Sequence, residues 1–280
     1  EYMDIHEEDL AKINALAEEL NKEGMHVIGV AAKKKSVGDT TVFHAEDETN
    51  MTFLGIIAFL DPPKPDAKEA IHGLYDAGVH VKVISGDAPV VVEHVCNLVG
   101  MKVGNQSAVT GSDLENMSDA ELSSVVEKND IFARLSPMQK KRVVDALRNN
   151  GHVVGYMGDG VNDAPSLHDA DVGISVDNGT DVAKASADII LLEKSLTVIL
   201  NGIYEGRRIY GNILKYMKMA LSSNFGNVFS VLIASIFLPF LPMLPLQILI
   251  QNLIYDFTQI AIPWDNVDDE FLQTPHKWNS

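Results

Sequence analysis

The sequence predicts an α/β domain with a mostly parallel sheet, followed by a helical hairpin that crosses a membrane. From residue 51 onward, apolar runs of strand length alternate with helical segments, a pattern typical of parallel sheets with helices on both faces. Polar clusters follow several of these apolar runs. Residues 219–255 then contain no Asp, Glu, Lys or Arg, which is typical of membrane-spanning segments.

Residues 1–50 are predicted to be the end of a domain. A helical pattern closes at Gly24, a strand-like segment follows over 26–32, and a polar stretch completes the region. The chain begins with Glu1 rather than Met and shows no signal or transit peptide. We therefore expect these 280 residues to begin inside a longer protein.

Residues 51–200 are predicted to form the α/β domain. The segment "FLGIIAFL", residues 53–60, is apolar throughout, and we expect a strand buried on both faces of the sheet. Later strands are predicted in "VHVKVI", "DIFARL", "HVVGYM", "VGISV" and "DIILL". One helix is marked at both ends, with Ser136 as N-cap, Pro137 in its first position and Gly151 beyond its end.

The charge and the cysteine content exclude two classes of protein. The formal net charge is -17, and an acidic chain repels the phosphates of nucleic acids, so we expect no nucleic-acid partner. Cys96 is the one cysteine in the sequence, which excludes a disulfide framework. Its apolar helical neighbours predict a buried thiol.

The uncharged region is too long for one membrane helix, and prolines divide it. The segment "LPFLPMLP" interrupts it, because each proline removes a backbone donor. We predict spans at roughly 216–238 and 244–263, inside a stalk-and-membrane region of 201–265 and before a cytoplasmic loop of 266–280. The basic residues before the first span are Arg207, Arg208, Lys215 and Lys218. They place that end in the cytoplasm by the positive-inside rule. A buried hairpin of a soluble protein is the alternative.

Four polar elements are predicted to meet beyond the carboxyl ends of the strands, where open α/β sheets bind ligands. Three of them follow predicted strands: Ser85–Asp87, Gly158–Asp163 and Asp61–Asp66. The fourth is Lys140, in the first turns of the helix after "DIFARL". Each element alone is typical of a turn or of a solvated helix, whereas the four together indicate a site.

The residue types of this site suit phosphoryl transfer. Asp159 and Asp163 are spaced i, i+4 across a strand-to-helix turn, and such oxygen ligands suit Mg²⁺. Ser85 and the two backbone amides after it are candidates for binding phosphate oxygens. Lys140 is a candidate for neutralising phosphate charge. Positioning and electrostatic stabilisation of this kind are what phosphoryl transfer requires.

The motifs resemble those of the P-type cation-transporting ATPases. In chain order they are "DPPKPDAKEAI", "VISGD", "SPMQKKRVV" and "MGDGVNDAPSL". The resemblance covers nearly the whole chain and implies a Rossmann-like phosphorylation domain of the haloacid dehalogenase type over 51–200. It also implies that 1–50 end the nucleotide-binding domain and that 201–265 hold the fifth and sixth membrane helices. ATP as substrate and Mg²⁺ as cofactor follow from the same resemblance.

The resemblance also implies roles for individual residues. Asp159 matches the ligand of the catalytic Mg²⁺, with Asp163 in the same metal set and Asn162 beside it. The catalytic set implied by the motifs is Lys140, Ser85, Gly86, Asp87 and Asn162, with Ser85 in place of the usual Thr. The nucleotide-binding set is Asp61, Lys64 and His26, where Lys64 and His26 stand at positions that more often hold Arg.

The phosphorylated Asp of the family lies in a "DKTGT" string, which this sequence lacks. The string is expected upstream of residue 1, so the chain alone is expected not to form the phosphoenzyme. Two alternatives stay open: a membrane-anchored phosphatase of the same hydrolase group and a non-catalytic regulator. A "DKTGT" string before residue 1 would decide for the pump.

Polar residues in and beside the uncharged region predict a site for a transported cation. Asn224 and Asn227 are spaced i, i+3, and Asn252 and Asp256 are spaced i, i+4, so each pair shares a helical face. Asp256 is the one charge well inside the predicted span, and Tyr255 precedes it. Hydrogen bonding between helices is the alternative role for the Asn residues.

Mg²⁺ is the predicted cargo. Neutral amides with one carboxylate suit a cation that keeps part of its water shell. The tail "LIYDFTQIAIPWDNVDDEFLQTPHKW" is similar to that of the bacterial magnesium-transporting P-type ATPases. The resemblance implies an integral protein of the bacterial plasma membrane, with the α/β domain in the cytoplasm and the remaining domains of the pump as partners. A P-type pump for another cation, such as Ca²⁺, is the alternative.

Overall fold

A computed structural model describes residues 7–34, 49–60, 62–101, 107–193 and 195–276. The chain divides into two compact units. The first comprises the described parts of 1–72 and 81–196, and the second comprises those of 73–80 and 197–280. Asp61, a predicted nucleotide-binding residue, lies outside the described residues.

The first unit begins with a helix and an antiparallel pair of strands. Helix α1 is Glu7–Lys22, strand β1 is Met25–Ala32 and strand β2 is Thr52–Leu60. Met25 lies opposite Leu60, and Ala32 lies opposite Thr52. As predicted, the helix ends beside Gly24, whose φ of 84° is the left-handed conformation that glycine adopts at helix ends.

The prediction for "FLGIIAFL", which forms most of β2, is wrong. The sequence predicts a strand buried on both faces of a parallel sheet, but β2 pairs antiparallel with β1 in a sheet of two strands. The side chains of Leu54 and Ile57 are 66% and 57% exposed. A two-stranded ribbon cannot bury both of its faces by itself, and an apolar run does not reveal what will cover it.

The rest of the first unit alternates helices with short strands, as predicted. In chain order the elements are α2 Ala67–Asp76, β3 Val83–Ile84, α3 Pro89–Leu98, β4 Val109–Thr110, α4 Gly111–Glu115, α5 Asp119–Lys128, β5 Ile131–Ala133, α6 Pro137–Asn149, β6 Gly155–Met157, α7 Ala164–Asp169, β7 Val172–Val176, α8 Asp181–Ser186 and β8 Ile189–Leu191. A 3-10 turn, Val161–Asp163, precedes α7. The last residues of α2, from 73 onward, belong to the second unit.

The strands of this region run parallel, which confirms the predicted α/β fold. One sheet has the order β3-β5-β4, and a second has the order β6-β7-β8. The alternation of strands and helices accounts for this arrangement, since each parallel pair needs a crossover connection. The family resemblance had implied this haloacid dehalogenase-type domain.

Helix α6 contributes to two clusters of the core. Its Val143 packs in a cluster with Phe132, and its Val144 packs in a cluster with Leu167. Ile84, at the end of β3, packs against both clusters. Burial of each such side chain stabilises the fold by about 1.5–3 kcal/mol. The core therefore fixes α6 relative to the end of β3. Cys96 is buried as well, as predicted.

The second unit is built on two long helices. Helix α9 is Thr197–Phe237 and helix α10 is Pro245–Gln259, followed by a 3-10 turn, Ile262–Trp264, and helix α11, Asp269–Gln273. The connection between α9 and α10 contains Pro239 and Pro242, and Pro245 opens α10. The predicted break between two helices is therefore present where the prolines lie. The 41 residues of α9 extend over about 60 Å.

The two helices differ in their capacity to cross a membrane. In the described part of the chain, α9 is the one helix that is long and apolar enough to do so. Helix α10 has 15 residues, or about 22 Å, whereas a hydrocarbon core is about 30 Å thick. The predicted second span ran to residue 263, but the helix ends at Gln259 because Pro263 cannot continue it. A second membrane span stays a prediction.

Candidate functional site

The predicted site contains a partly buried ion pair. Lys140 Nζ lies 2.8 Å from Asp163 Oδ1, and the two side chains are 12% and 14% exposed. Lys140 sits in the first turns of α6 because Ser136 caps that helix: the Ser136 side chain accepts from the Gln139 amide. Asp163 ends the 3-10 turn after β6. The structure thus brings two predicted site residues, 23 positions apart, into direct contact.

Tyr156, which the sequence analysis missed, completes this pair. Its hydroxyl donates to Asp163 Oδ1 at 2.8 Å, and the Gly160 amide donates to Asp163 Oδ2 at 3.3 Å. Tyr156 is 7% exposed in β6. Both carboxylate oxygens of Asp163 therefore have protein partners. We name Lys140, Tyr156 and Asp163 the anchor cluster.

The anchor cluster keeps Asp163 ionised. Burial alone raises the pKa of Asp163, but hydrogen bonds from Lys140 and Tyr156 outweigh it and hold the pKa below its usual value. Burial raises the pKa of Tyr156, and the nearby negative charge of Asp163 raises it further. Tyr156 thus stays neutral and donates, while Lys140 compensates the charge of Asp163.

Gly158 does more than let the turn bend, because it also leaves room for the Asp163 side chain. A Cβ added at Gly158 would lie 2.5 Å from the Cβ of Asp163, which is closer than two non-bonded carbon atoms can approach. The glycine is required because the strand end passes directly beside the Asp163 side chain. The motif "GDGVND" therefore encodes the close approach that places Asp163 against Lys140.

Asp159 differs from Asp163 in its surroundings. Its side chain is exposed and, within the described residues, makes no hydrogen bond and no ion pair. Its backbone carbonyl accepts from the Thr180 amide at 2.8 Å, which fixes the turn. An unpartnered carboxylate on a fixed backbone fits Mg²⁺, a hard cation that takes oxygen ligands. In the described part of the chain, no group of three or more His, Cys, Asp or Glu could hold a metal.

The Ser85–Asp87 turn is attached to the segment that leads into α6. Ser85 Oγ donates to Asp87 Oδ2 at 2.8 Å, and the Asp87 amide donates back to Ser85 Oγ at 3.1 Å. The amides of Arg134 and Leu135 donate to the carbonyls of Asp87 and Ser85, at 2.9 and 3.0 Å. Gly86 lies between them. The turn is thus bonded to residues just before the α6 cap.

Arg134 has a backbone conformation that the sequence analysis did not predict. Its φ is 53°, in the left-handed region that few residues other than glycine adopt. Such conformations are concentrated at functional sites. Arg134 lies directly between β5 and the α6 cap, so it shapes the connection that holds the Ser85–Asp87 turn.

The remaining predicted residues of the first unit do not bond to the anchor cluster in the described structure. Asn162 and Lys64 are exposed, and within the described residues their side chains make no hydrogen bond. The His26 ring stacks on Phe59 of β2, with ring centroids 5.6 Å apart. The structure therefore groups Lys140 with Asp163 and leaves the nucleotide-binding set a prediction.

Asp66, at the end of the "DPPKPD" cluster, has partners that sequence spacing could not reveal. Its Oδ2 accepts from Ser195 Oγ at 2.5 Å and from the Leu196 amide at 3.0 Å. These residues lie 129 and 130 positions further along the chain, directly before α9. Asp66 thus joins the start of the α/β region to its end.

In the second unit, two hydrogen bonds connect α9 with α10. Gln251 Nε2 donates to Asn227 Oδ1 at 2.9 Å, and the Tyr255 hydroxyl donates to the Met219 carbonyl at 2.6 Å. The other predicted cation ligands are exposed and, within the described residues, have no hydrogen-bond or ion-pair partner; they are Asn224, Asn252 and Asp256. Gln251 was missed by the sequence analysis, although it lies four positions before Tyr255.

Comparison with known proteins places the α/β region in a family. A family model described as a haloacid dehalogenase-like hydrolase matches residues 8–171, which is more than half of the chain. The chain belongs to this family. Haloacid dehalogenase-like hydrolases are the group that the motifs at the strand ends had indicated.

This haloacid dehalogenase-like chain is also similar to P-type ATPases over nearly its whole length. It is 54% identical to "Magnesium-transporting ATPase, P-type 1" of Salmonella typhimurium (strain LT2) over 267 residues, 95% of this chain and 29% of the relative. The Escherichia coli (strain K12) protein of that name is 53% identical over 96% of this chain and 30% of the relative. The resemblance to the magnesium-transporting P-type ATPases is confirmed.

A calcium-transporting relative is more distant. "Calcium-transporting ATPase" of Bacillus subtilis (strain 168) is 36% identical over 265 residues, 94% of this chain and 30% of the relative. The chain thus spans about 30% of the length of the curated relatives it matches.

Proposed function

We propose that this chain supplies the phosphorylation domain and two membrane helices of an ATP-driven P-type pump that transports Mg²⁺. The observation that carries the proposal is the partly buried Lys140–Asp163 ion pair, whose Asp163 lies in the same turn as the unpartnered Asp159 carboxylate. The Lys140 ammonium, held by Asp163, and the unpartnered Asp159 carboxylate suit phosphoryl transfer, because that reaction depends on positioning and electrostatic stabilisation. Relatives named magnesium-transporting ATPases support the reaction and the cargo.

In this proposal the first unit positions a phosphoryl group. Asp163 holds the Lys140 ammonium at 2.8 Å, in a position from which it can neutralise phosphate oxygens. The Gly86 amide is proposed to bind a further phosphate oxygen, joined by the Ser85 hydroxyl and the Asp87 amide when these exchange the hydrogen bonds they make within the turn for the phosphate. Asp159, with Asp163 and Asn162 beside it, would hold Mg²⁺, which when bound neutralises charge on the transferring phosphate.

The nucleophile is proposed to come from a part of the pump other than these residues, because "DKTGT" is absent from the sequence. His26, Lys64 and Asp61 are proposed to contact ATP. Incubation of the chain alone with labelled ATP and Mg²⁺ is expected to leave it unlabelled. A hydroxylamine-labile label on the chain would contradict this part of the proposal.

The cation site is proposed to lie in α9 and α10, which we place in the bacterial plasma membrane with the α/β unit in the cytoplasm. Its proposed residues are Asn224, Asn227, Asn252, Tyr255 and Asp256. The exposed carboxylate of Asp256 on an apolar helix supports this. Such a charge is costly in hydrocarbon, so its presence in a membrane helix indicates a function. Amides with one carboxylate suit a partly hydrated Mg²⁺.

The test uses a chimera in which this chain replaces the matching 29% of the Salmonella relative. In a strain that cannot grow on low Mg²⁺, the chimera is expected to restore growth, and its ATPase activity is expected to rise with Mg²⁺ in excess of that bound to ATP. The Lys140→Met chimera is the inactive control. Stimulation by Ca²⁺ alone would overturn Mg²⁺ as cargo, and ATPase activity without any cation response would overturn the pump.

A further inference from the structure

The contact between Gln251 and Asn227 is a hydrogen bond between two amides on facing helices. Gln251 of α10 donates from Nε2 to Asn227 Oδ1 of α9 at 2.9 Å. Asn227 is half-buried, and Gln251 is exposed. One turn further along α10, Tyr255 makes the second bond between the helices. Residues spaced i, i+4 share a helical face, so one face of α10 makes both bonds.

This bond fixes how Asn227 presents its amide. The carbonyl oxygen of an Asn accepts hydrogen bonds and binds cations, whereas its NH₂ group donates. The donor from Gln251 turns Asn227 Oδ1 toward α10, the helix that also carries Asn252 and Asp256. A carbonyl oxygen has two lone pairs, so Oδ1 can accept from Gln251 and still bind a cation. Without the donor, the Asn227 amide is free to rotate.

Gln251 itself lies on a different part of the helix surface from two of the predicted ligands, Asn252 and Asp256. It is one position before Asn252, or about 100° around the helix axis. It therefore reaches the site through Asn227 rather than by facing the cation beside Asp256. In an apolar medium few alternative partners compete for its amide, which favours the contact between the helices.

We propose that Gln251 is a positioning residue of the transported-cation site, which holds the Asn227 carbonyl oxygen toward α10. This inference rests on the proposed function of the second unit. It assigns Gln251 an effect on cation affinity that passes entirely through Asn227. Gln251 is not a ligand in this assignment, and removing it leaves the phosphoryl-transfer residues untouched.

The test measures cation-stimulated ATPase activity of the chimera with Gln251→Leu. The Mg²⁺ concentration for half-maximal activity is expected to rise about threefold, the size that loss of an average interhelical hydrogen bond produces, with kcat little changed. The matched control is Gln247→Leu, one turn earlier on α10, whose carbonyl instead accepts from the Leu244 amide at 2.9 Å. The control is expected to keep the unsubstituted cation affinity.

Two further variants separate positioning from folding. The double variant Asn227→Ala with Gln251→Leu is expected to bind the cation no more weakly than Asn227→Ala alone, because Gln251 acts through Asn227. The exchange Asn227→Gln with Gln251→Asn restores an amide pair and is expected to recover part of the affinity. Equal effects of Gln251→Leu and Gln247→Leu, or effects of Gln251→Leu and Asn227→Ala that multiply, would overturn the inference.

Failure of the proposed function gives a different result. If the unsubstituted chimera responds to Ca²⁺ instead of Mg²⁺, the Mg²⁺ proposal fails, and the same five variants test Gln251 with Ca²⁺. If the unsubstituted chimera responds to no cation, the pump proposal fails and the inference about Gln251 is overturned with it. A normal response of the unsubstituted chimera that is also unchanged in Gln251→Leu overturns the inference alone.

Discussion

The α/β unit holds a partly buried charged pair, whereas the helical unit joins its two long helices through neutral groups. Lys140 and Asp163 are 12% and 14% exposed and compensate each other. In the helical unit an amide pair, Gln251 and Asn227, makes the comparable contact. Breaking a buried ion pair leaves an uncompensated charge and costs about 3–5 kcal/mol, whereas a hydrogen bond between membrane helices contributes about 0.6 kcal/mol. The Lys140–Asp163 pair therefore contributes to both stability and charge placement. The Gln251–Asn227 pair can be substituted without loss of the fold.

The largest expected effect is that of Lys140→Met. Removing the ammonium leaves Asp163 partly buried without its cation, so the free energy of unfolding should fall by about 2–3 kcal/mol, less than for a fully buried pair. Urea unfolding of the purified chain in detergent micelles measures this. The neighbouring Lys141 pairs with Asp145 and Asp169 but is 30% exposed. Lys141→Met should therefore cost less than about 1 kcal/mol, and equal losses would contradict the comparison.

The next prediction contrasts the two carboxylates. Asp256→Asn should leave the free energy of unfolding within about 0.5 kcal/mol, because its side chain has no partner in the described structure. In the chimera, it should remove cation-stimulated ATPase activity and growth on low Mg²⁺. Asp163→Asn should instead destabilise the chain. Unchanged cation stimulation in Asp256→Asn would remove Asp256 from the proposed site.

Gly158→Ala should have an intermediate effect. The new Cβ would meet the Asp163 Cβ at 2.5 Å, and the shift needed to relieve this clash should cost about 1–3 kcal/mol. Gly202 in α9 is the control, because a Cβ there meets no atom within 4 Å in the described structure. Gly202→Ala should stabilise the helix by up to about 1 kcal/mol. The same urea titration distinguishes the loss of stability expected for Gly158→Ala from the gain expected for Gly202→Ala.

Tyr156→Phe should have a smaller effect than Lys140→Met. It removes one hydrogen bond to a charged acceptor and leaves the ion pair, so we expect a loss of about 1.5 kcal/mol. The double variant with Asp163→Asn should lose less than the sum of the single losses, since both remove the same bond. Additive losses would show that the hydroxyl does not act through Asp163.

The pH dependence of stability gives the finest test. The pKa of folded Asp163 is lowered, so its contribution to stability is present above the usual Asp value of about 3.9 and is lost as the pH falls through the lower folded value. The difference in unfolding free energy between the unsubstituted chain and Asp163→Asn should therefore shrink below about pH 4. A difference that stayed constant down to pH 2 would contradict this.

Local patterns predicted much of the fold and part of the site. Residues close together in the sequence were enough to predict three features. These are the alternation of strands with helices, the capping of α6 and the polar clusters at strand ends. The pairing of Lys140 with Asp163 joins residues that follow β5 and β6, which lie in different sheets, so the spacing of residues could not give this contact. What spacing did not give is the division into two sheets, or the antiparallel pairing of β2 with β1.

The missed residues share a physical reason. Tyr156 lies in the apolar run "HVVGYM", where an aromatic ring is expected in the core, and only the fold shows that its hydroxyl reaches Asp163. Gln251 has neighbours that are more suggestive of a ligand, so its role depends on which residue of α9 faces it. Which residues meet across two elements depends on how those elements pack, and the spacing of residues within one element does not predict that packing.

The contact of Asp66 with Ser195 and Leu196 makes the α/β region a closed loop. Entry and exit lie side by side although 129 positions separate Asp66 from Ser195. A segment whose ends meet can be inserted into a host chain without stretching the host. The segment from Asp66 to Ser195 therefore has adjoining ends, although its residues 73–80 belong to the second unit, and exchanges between relatives are best made at these two residues, with the carboxylate and the hydroxyl kept together.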